Sequence, residues 1–197
     1  MLLHVGWHHI VFNSALTLLL GIPLELVHKA WRVAPIFLAG VLAGSLLSSV
    51  AEPAVTLLGA SGGVYALIGA HYGLVIMNWE ELQEGWQSWR KNPLKIFSSG
   101  LFRLLLLTLL VALDFGVALY RRYTLASLEN SVSLTAHAAG LLCGILVGIP
   151  CLRNLDKKPW EMVLFWVAIG LLVVYMIFAV LWNIFYMGYP TDIPCNV

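Results

Sequence analysis

The chain has 197 residues, of which 60% are hydrophobic and 11% charged, where soluble domains carry about 25% charged residues. That much apolar side chain exceeds what one water-soluble core hides, so the sequence reads as a membrane protein. Its eleven basic and ten acidic residues nearly cancel and form no basic run, which argues against a nucleic-acid partner.

A bilayer-spanning helix needs about 20 mostly apolar residues. Six such segments are expected, at roughly 8–27, 33–51, 61–78, 101–120, 134–152 and 162–187. Between the third and fourth, residues 79–100 read as interfacial, with Trp86, Trp89, Arg90 and Lys91 as its anchors. Glu52-Pro53, Asn92-Pro93 and the charged linker 153–159 punctuate the chain. The expected organisation is one membrane domain over 1–197, with core helices in 1–152 and an extra span and short outer tail in 160–197. Cys143, Cys151 and Cys195 suggest neither a disulfide framework nor a metal site.

The basic residues set the orientation. With the first loop cytoplasmic, Lys29, Arg32, Arg90, Lys91, Lys95, Arg103, Arg153, Lys157 and Lys158 fall inside, and only Arg121 and Arg122 outside. Both ends of the chain then face the outer or lumenal side. No basic region precedes the first apolar run, so no cleavable signal is read there. A start on the outer side suggests a longer natural form with a further helix upstream.

Polar groups inside a membrane are costly and are candidates for function. His9 and Asn13 lie in the first turns of segment 1, Ser61 opens segment 3, and His137 lies one turn into segment 5. These three segments all run inward, so the four residues share one depth near the outer face. Below Ser61, Gly62, Ala66, Gly69 and Gly73 form a small-residue stripe; below His137, Gly140, Gly144 and Gly148 form another. Small faces let membrane helices approach closely. If the stripes pack together, hydroxyl and imidazole meet at their outer end. A serine needs a base to become a nucleophile, and histidine supplies one near neutral pH. His9 and Asn13, at i and i+4, are placed to donate to an oxyanion beside the Ser61 N–H.

Gly-Ala-Ser-Gly-Gly-Val-Tyr-Ala-Leu at 59–67, Ala-His-Ala-Ala-Gly at 136–140 with Gly144, and His4-x4-His9-x3-Asn13 resemble, in order, the nucleophile, base and oxyanion motifs of the rhomboid intramembrane serine proteases. Gly21-Ile-Pro-Leu-Glu25, Gly40-Val-Leu-Ala-Gly44-Ser45 and the stretch 113–122 fit as well, the last most like the animal secretase-type members. The resemblance covers nearly the whole chain. It implies an all-α polytopic bundle that begins after the family's first core helix and the loop following it. Trp31-Arg32, expected in a cytoplasmic turn, does not match the family's Trp-Arg loop motif.

By the resemblance, Ser61 is the nucleophile and His137 the general base and then acid, as a dyad without a carboxylate. His9 and Asn13 form the oxyanion site, Tyr65 stacks on His137, and Gly59, Gly62 and Gly140 shape the surroundings. His4 braces the loop ahead of segment 1. No metal or nucleotide cofactor is implied. Substrates would be single-pass membrane proteins, such as growth-factor ectodomains or adhesion proteins, cut near the outer end of their helix. The plasma membrane is the expected location, with the Golgi as the alternative; oligomeric state is left open.

Blander readings stand beside these. Ser61 alone could be a small packing residue, and His137 alone a buried hydrogen-bonding histidine. His4 and His8 at i, i+4 lack the surroundings of a zinc pair. His71 lies ten residues, about 15 Å, along the helix from Ser61 and is expected to be structural. Asp114 is expected to pair with Arg121, seven residues on, or with neighbouring polar groups, rather than to complete a triad. Two other functions compete: an inactive or client-binding member of the family, and a proton-coupled transporter using His71 and Asp114.

Overall fold

The computed structural model describes residues 6–53, 59–87, 92–124, 133–154, 158–186 and 188. Seven α-helices lie among them: α1 (Gly6–His28), α2 (Ala30–Ala51), α3 (Ser61–Met77), α4 (Trp79–Gln87), α5 (Gly100–Thr124), α6 (Leu134–Cys151) and α7 (Pro159–Phe185). A short 3-10 turn, Pro93–Ser98, precedes α5. The described residues contain no strand. Five helices (α1, α2, α5, α6 and α7) are long and apolar enough to cross a membrane. The sixth expected span is α3, which at 17 residues is shorter than the others. The chain is an integral, multi-pass helical membrane protein.

The short helix is also the buried one. Gly63 through Ala70 are all buried, so α3 is the central post and the other helices surround it. Protein rather than lipid covers its backbone, and non-helical chain at membrane depth is tolerated in that setting. The Gly59–Ala60 turn that feeds α3 can therefore lie below the bundle's end. In contrast, α5 and α7 turn Leu105, Leu106, Leu109, Val163, Trp166, Val174 and Ile177 outward. Lipid is the solvent such a face requires.

Close helix approach at glycine builds the centre. A Cβ on Gly140 would fall 2.3 Å from the Gly62 carbonyl oxygen, one on Gly144 would fall 2.1 Å from that of Ala66, and one on Gly148 would fall 3.1 Å from Ala70 Cα. The two small-residue stripes thus face each other in parallel, as their spacing suggests. Gly40 and Gly44 of α2 close the third side: a Cβ on Gly40 would meet Ala66 Cβ at 2.2 Å, and one on Gly44 the Ala136 carbonyl at 3.0 Å.

Hydrogen bonds fasten both ends. At the Ser61 end, buried Glu52 follows α2 and receives Arg122 from α5 and both Ser133 (2.8 Å) and Thr135 (2.7 Å) hydroxyls at the head of α6. Ser133 also caps α6, accepting from the Ala136 N–H. Burial disfavours the Glu52 carboxylate, but hydrogen bonds from Arg122, Thr135 and Ser133 outweigh it and hold its carboxyl below the usual glutamate range. A lowered pKa means stability that is present above the ordinary glutamate range and lost as pH falls through the lowered value. Glu52→Gln is expected to cost about 1–3 kcal/mol at neutral pH. Melting curves down to pH 3 should show a smaller loss in acid for the variant than for the wild type.

At the opposite end the Arg153 N–H donates to His28 Nδ1 (2.9 Å), and Arg32 reaches the Cys151 carbonyl (2.6 Å). Lys158 bridges Glu80 and Glu81 of α4. Trp31-Arg32 was expected in a turn. It instead forms the first turn of α2, which starts directly after Lys29. One residue at positive φ, Lys29 at 76°, reverses the chain between α1 and α2, so no loop is left to hold the pair.

Candidate active site

Ser61 is the first residue of α3, directly after the Gly59–Ala60 turn. The first helical N–H groups to close a bond are those of Gly63 and Val64, both on the Ala60 carbonyl. N–H groups ahead of them have no helical acceptor, and the helix dipole makes this end attractive to negative charge.

His137 lies in the first turn of α6 and is 5% exposed. Its ring stacks on Tyr65, with centroids 4.3 Å apart and planes at 19°. Tyr65 is one helical turn below Ser61, so the stack ties His137 to the face of α3 that carries the hydroxyl. The glycine contacts give the register. Gly62 faces Gly140, Ala66 faces Gly144 and Ala70 faces Gly148, a constant offset between the two helices. On that register Ser61 lies level with Ala139, two residues or about 3 Å below His137. The two helix heads are neighbours at nearly one depth. The hydrogen bonds among the described residues do not include one between Ser61 and His137. Such contacts are often long in a resting site and tighten on substrate.

The head of α1 joins them. Gly59 has φ +108°, and a Cβ there would strike the His9 ring at 2.8 Å and lie 3.6 Å from Asn13 Nδ2. Glycine is required on both counts: by backbone conformation and by the imidazole beneath it. His9 and Asn13 thus sit against the turn that presents Ser61. Asn13 is buried, and its amide donates back to the His9 carbonyl at 3.0 Å. To serve an oxyanion it must turn away from that bond or share its second N–H. His4 lies outside the described residues.

Asp114 was expected to pair with Arg121 or with neighbouring polar groups, and its partners are of the second kind: Tyr65, whose hydroxyl donates to Oδ2 at 2.6 Å, and His137, whose Nδ1 lies 3.2 Å from the same oxygen. The sequence signal was available: Asp114 is the one carboxylate well inside a span. Its depth relative to Tyr65 was not, because that depends on how α5 leans on α3. The Glu52 cluster was also missed; in sequence Glu52 reads as loop punctuation. His71 Nε2 lies 3.0 Å from the Leu20 carbonyl.

The fold and this arrangement define a class: a polytopic helical membrane protein in which the heads of α1, α3 and α6 carry an asparagine, a serine and a histidine at one end of the bundle. The profile of the Rhomboid domain matches residues 1–154. The chain is 44% identical over 185 residues to mouse Rhomboid-related protein 2, covering 94% of this chain and 57% of that protein. It is 34% identical over 170 residues to the Inactive rhomboid-related protein 2 of Caenorhabditis elegans, covering 86% and 44%. With the Rhomboid-like protease 5 of Toxoplasma gondii it shares 28% identity over 164 residues, 82% of this chain and 16% of that one. The chain therefore belongs to the rhomboid family, whose members include proteins named as proteases and proteins named inactive. It spans about half the length of the rhomboid-related proteins it matches.

Proposed function

We propose that the chain is an intramembrane serine endopeptidase in which Ser61 is the nucleophile and His137 the general base. The observation that carries this reading is the Tyr65–His137 stack one turn below Ser61. It supports this reading because it holds the imidazole against α3 one turn from the residue that opens the helix. As Ser61 Oγ attacks a peptide carbonyl, its proton passes to His137 Nε2. His137 then returns a proton to the leaving amine. The Ser61 N–H at the helix start, with His9 and Asn13, faces the developing oxyanion.

On this reading the substrates are single-pass membrane proteins cut near the outer end of their helix, as the family resemblance implies. With Arg121 and Arg122 on the outer side, the site opens outward. The protein then works at the plasma membrane or in the Golgi.

The inactive nematode relative favours a second reading, a rhomboid-like protein that binds clients without cutting them. A fluorophosphonate probe separates the two. Labelling of the wild type that disappears in Ser61→Ala supports the protease; a folded wild type that stays unlabelled sinks it. Replacing His9 or Asn13 by alanine should each lower kcat by about 10²–10³-fold if both are oxyanion donors. The check is kcat on a fluorogenic peptide that carries one apolar helix with a small residue at its outer end. An unchanged kcat removes that residue from the oxyanion site.

A further inference from the structure

His137 Nδ1 is buried and closes no well-aligned hydrogen bond among the described residues. A neutral imidazole in that state has two tautomers, and only one leaves Nε2 free to accept the serine proton. Something must select it. The 3.2 Å approach of Asp114 Oδ2 to Nδ1 is outside good hydrogen-bond alignment but within ion-pair distance. A carboxylate accepts only, so its charge favours the proton on Nδ1 and stabilises the imidazolium formed when Nε2 takes a second one.

The carboxylate is itself fixed. Tyr65 donates to the same Oδ2 at 2.6 Å, and the Tyr65 ring lies flat on His137. Phe115, the next residue on α5, lies beside the stack, edge-on to the Tyr65 ring at 5.9 Å and 6.3 Å from the His137 ring. Tyr65 therefore contacts both the imidazole and the acceptor that faces it, and α5 supplies that acceptor. Few other contacts explain an aspartate in this position: the side chain is 40% exposed, on a helix whose neighbouring leucines face outward.

We propose that Asp114, held by the Tyr65 hydroxyl, is a positioning residue that sets the His137 tautomer and orientation, so that the site works as a dyad assisted by a carboxylate from α5. This inference rests on the protease reading. Asp114 takes no proton in the cycle; the serine proton stays on His137 until the leaving amine receives it.

The test uses the full chain reconstituted in phospholipid vesicles, with the wild type, Ser61→Ala, Asp114→Asn, Asp114→Glu and Tyr65→Phe. Two measurements are made: kcat and KM on the fluorogenic helix peptide, and the rate of fluorophosphonate labelling per labelled site. Misplacing a catalytic group by about 1 Å costs about 10²-fold. Asp114→Asn is therefore expected to lower kcat and the labelling rate together by tenfold to a hundredfold, with KM within twofold and the full fraction of molecules eventually labelled. Asp114→Glu should recover part of the loss. Tyr65→Phe, which keeps the stacked ring and frees the carboxylate, should lose less than Asp114→Asn.

A purely structural Asp114 gives a different result: fewer sites labelled, each at the wild-type rate, with a lowered melting temperature. That outcome, or an unchanged kcat in Asp114→Asn, overturns the inference and leaves the protease reading intact. A wild type that neither cleaves nor labels overturns both.

Discussion

Ser61→Ala and His137→Ala are each expected to abolish cleavage, and the double variant to be no worse than either alone. The physical reason is that, on the proposed protease reading, the two side chains act in one step. Without the hydroxyl there is no nucleophile; without the imidazole the hydroxyl keeps its proton and stays weak. Residues that act as a unit are strongly non-additive, and the loss for either should reach about 10⁴-fold or more. The measurement is initial cleavage rate of the helix peptide in vesicles, with protein amount and helicity checked by circular dichroism. Two single losses that multiply in the double variant would mean that Ser61 and His137 work independently, and the dyad would be wrong. Folding gives no ready escape for Ser61. It is half-buried at a helix start, and removing one hydroxyl leaves the packing below it untouched.

The second large effect concerns glycine rather than a polar group. Gly140→Ala places a methyl carbon 2.3 Å from the backbone oxygen of Gly62, one residue after the serine. Neither atom belongs to a flexible side chain, so α3 and α6 must part. Overpacking of this kind costs about 1–3 kcal/mol. The larger consequence is for the site. The contact sets the spacing between Ser61 and His137, and a 1 Å error there costs about 10²-fold in rate. Gly144→Ala, 2.1 Å from the Ala66 oxygen and one turn deeper, should destabilise similarly. Gly116→Ala and Gly170→Ala serve as controls, since nothing lies within 4 Å of a Cβ at either. In a helix that exchange is worth roughly 0.5–1 kcal/mol in favour of alanine. Melting temperature and kcat should both fall for Gly140→Ala and hold or rise for the controls. A Gly140→Ala protein as active as the wild type would show that the register of α3 and α6 does not position the site.

The controls also separate local geometry from membrane fit. Gly116 and Gly170 lie on α5 and α7, the two candidate spans least buried inside the bundle. A methyl added there meets lipid, which is as apolar as the methyl itself. Glycine is needed only where a second backbone comes close.

The composition alone required a membrane, because no water-soluble core could cover 60% hydrophobic residues. Length and hydropathy then located the spans to within a few residues, since bilayer thickness sets a minimum helix length that any sequence must meet. The small-residue stripes on 62–73 and 140–148 identified the central contact, because only missing side chains permit such an approach. Ser61 and His137 were then candidates for the site, as polar groups at the head of that contact.

The tertiary structure decided what depends on lateral placement. That α3 is the buried post, with Gly63 through Ala70 all covered by protein, is invisible in a run of apolar residues, which look alike whether they face lipid or helix. The partners of Asp114 were decided the same way. Arg121 is its neighbour along α5, but Tyr65 and His137 are its neighbours across the bundle, and a helical repeat carries no information about the latter. Glu52 likewise became a three-helix fastening only when α2, α5 and α6 ended side by side. Depth is written along a chain, one residue at a time; which side of a helix meets which neighbour is settled only when the helices pack.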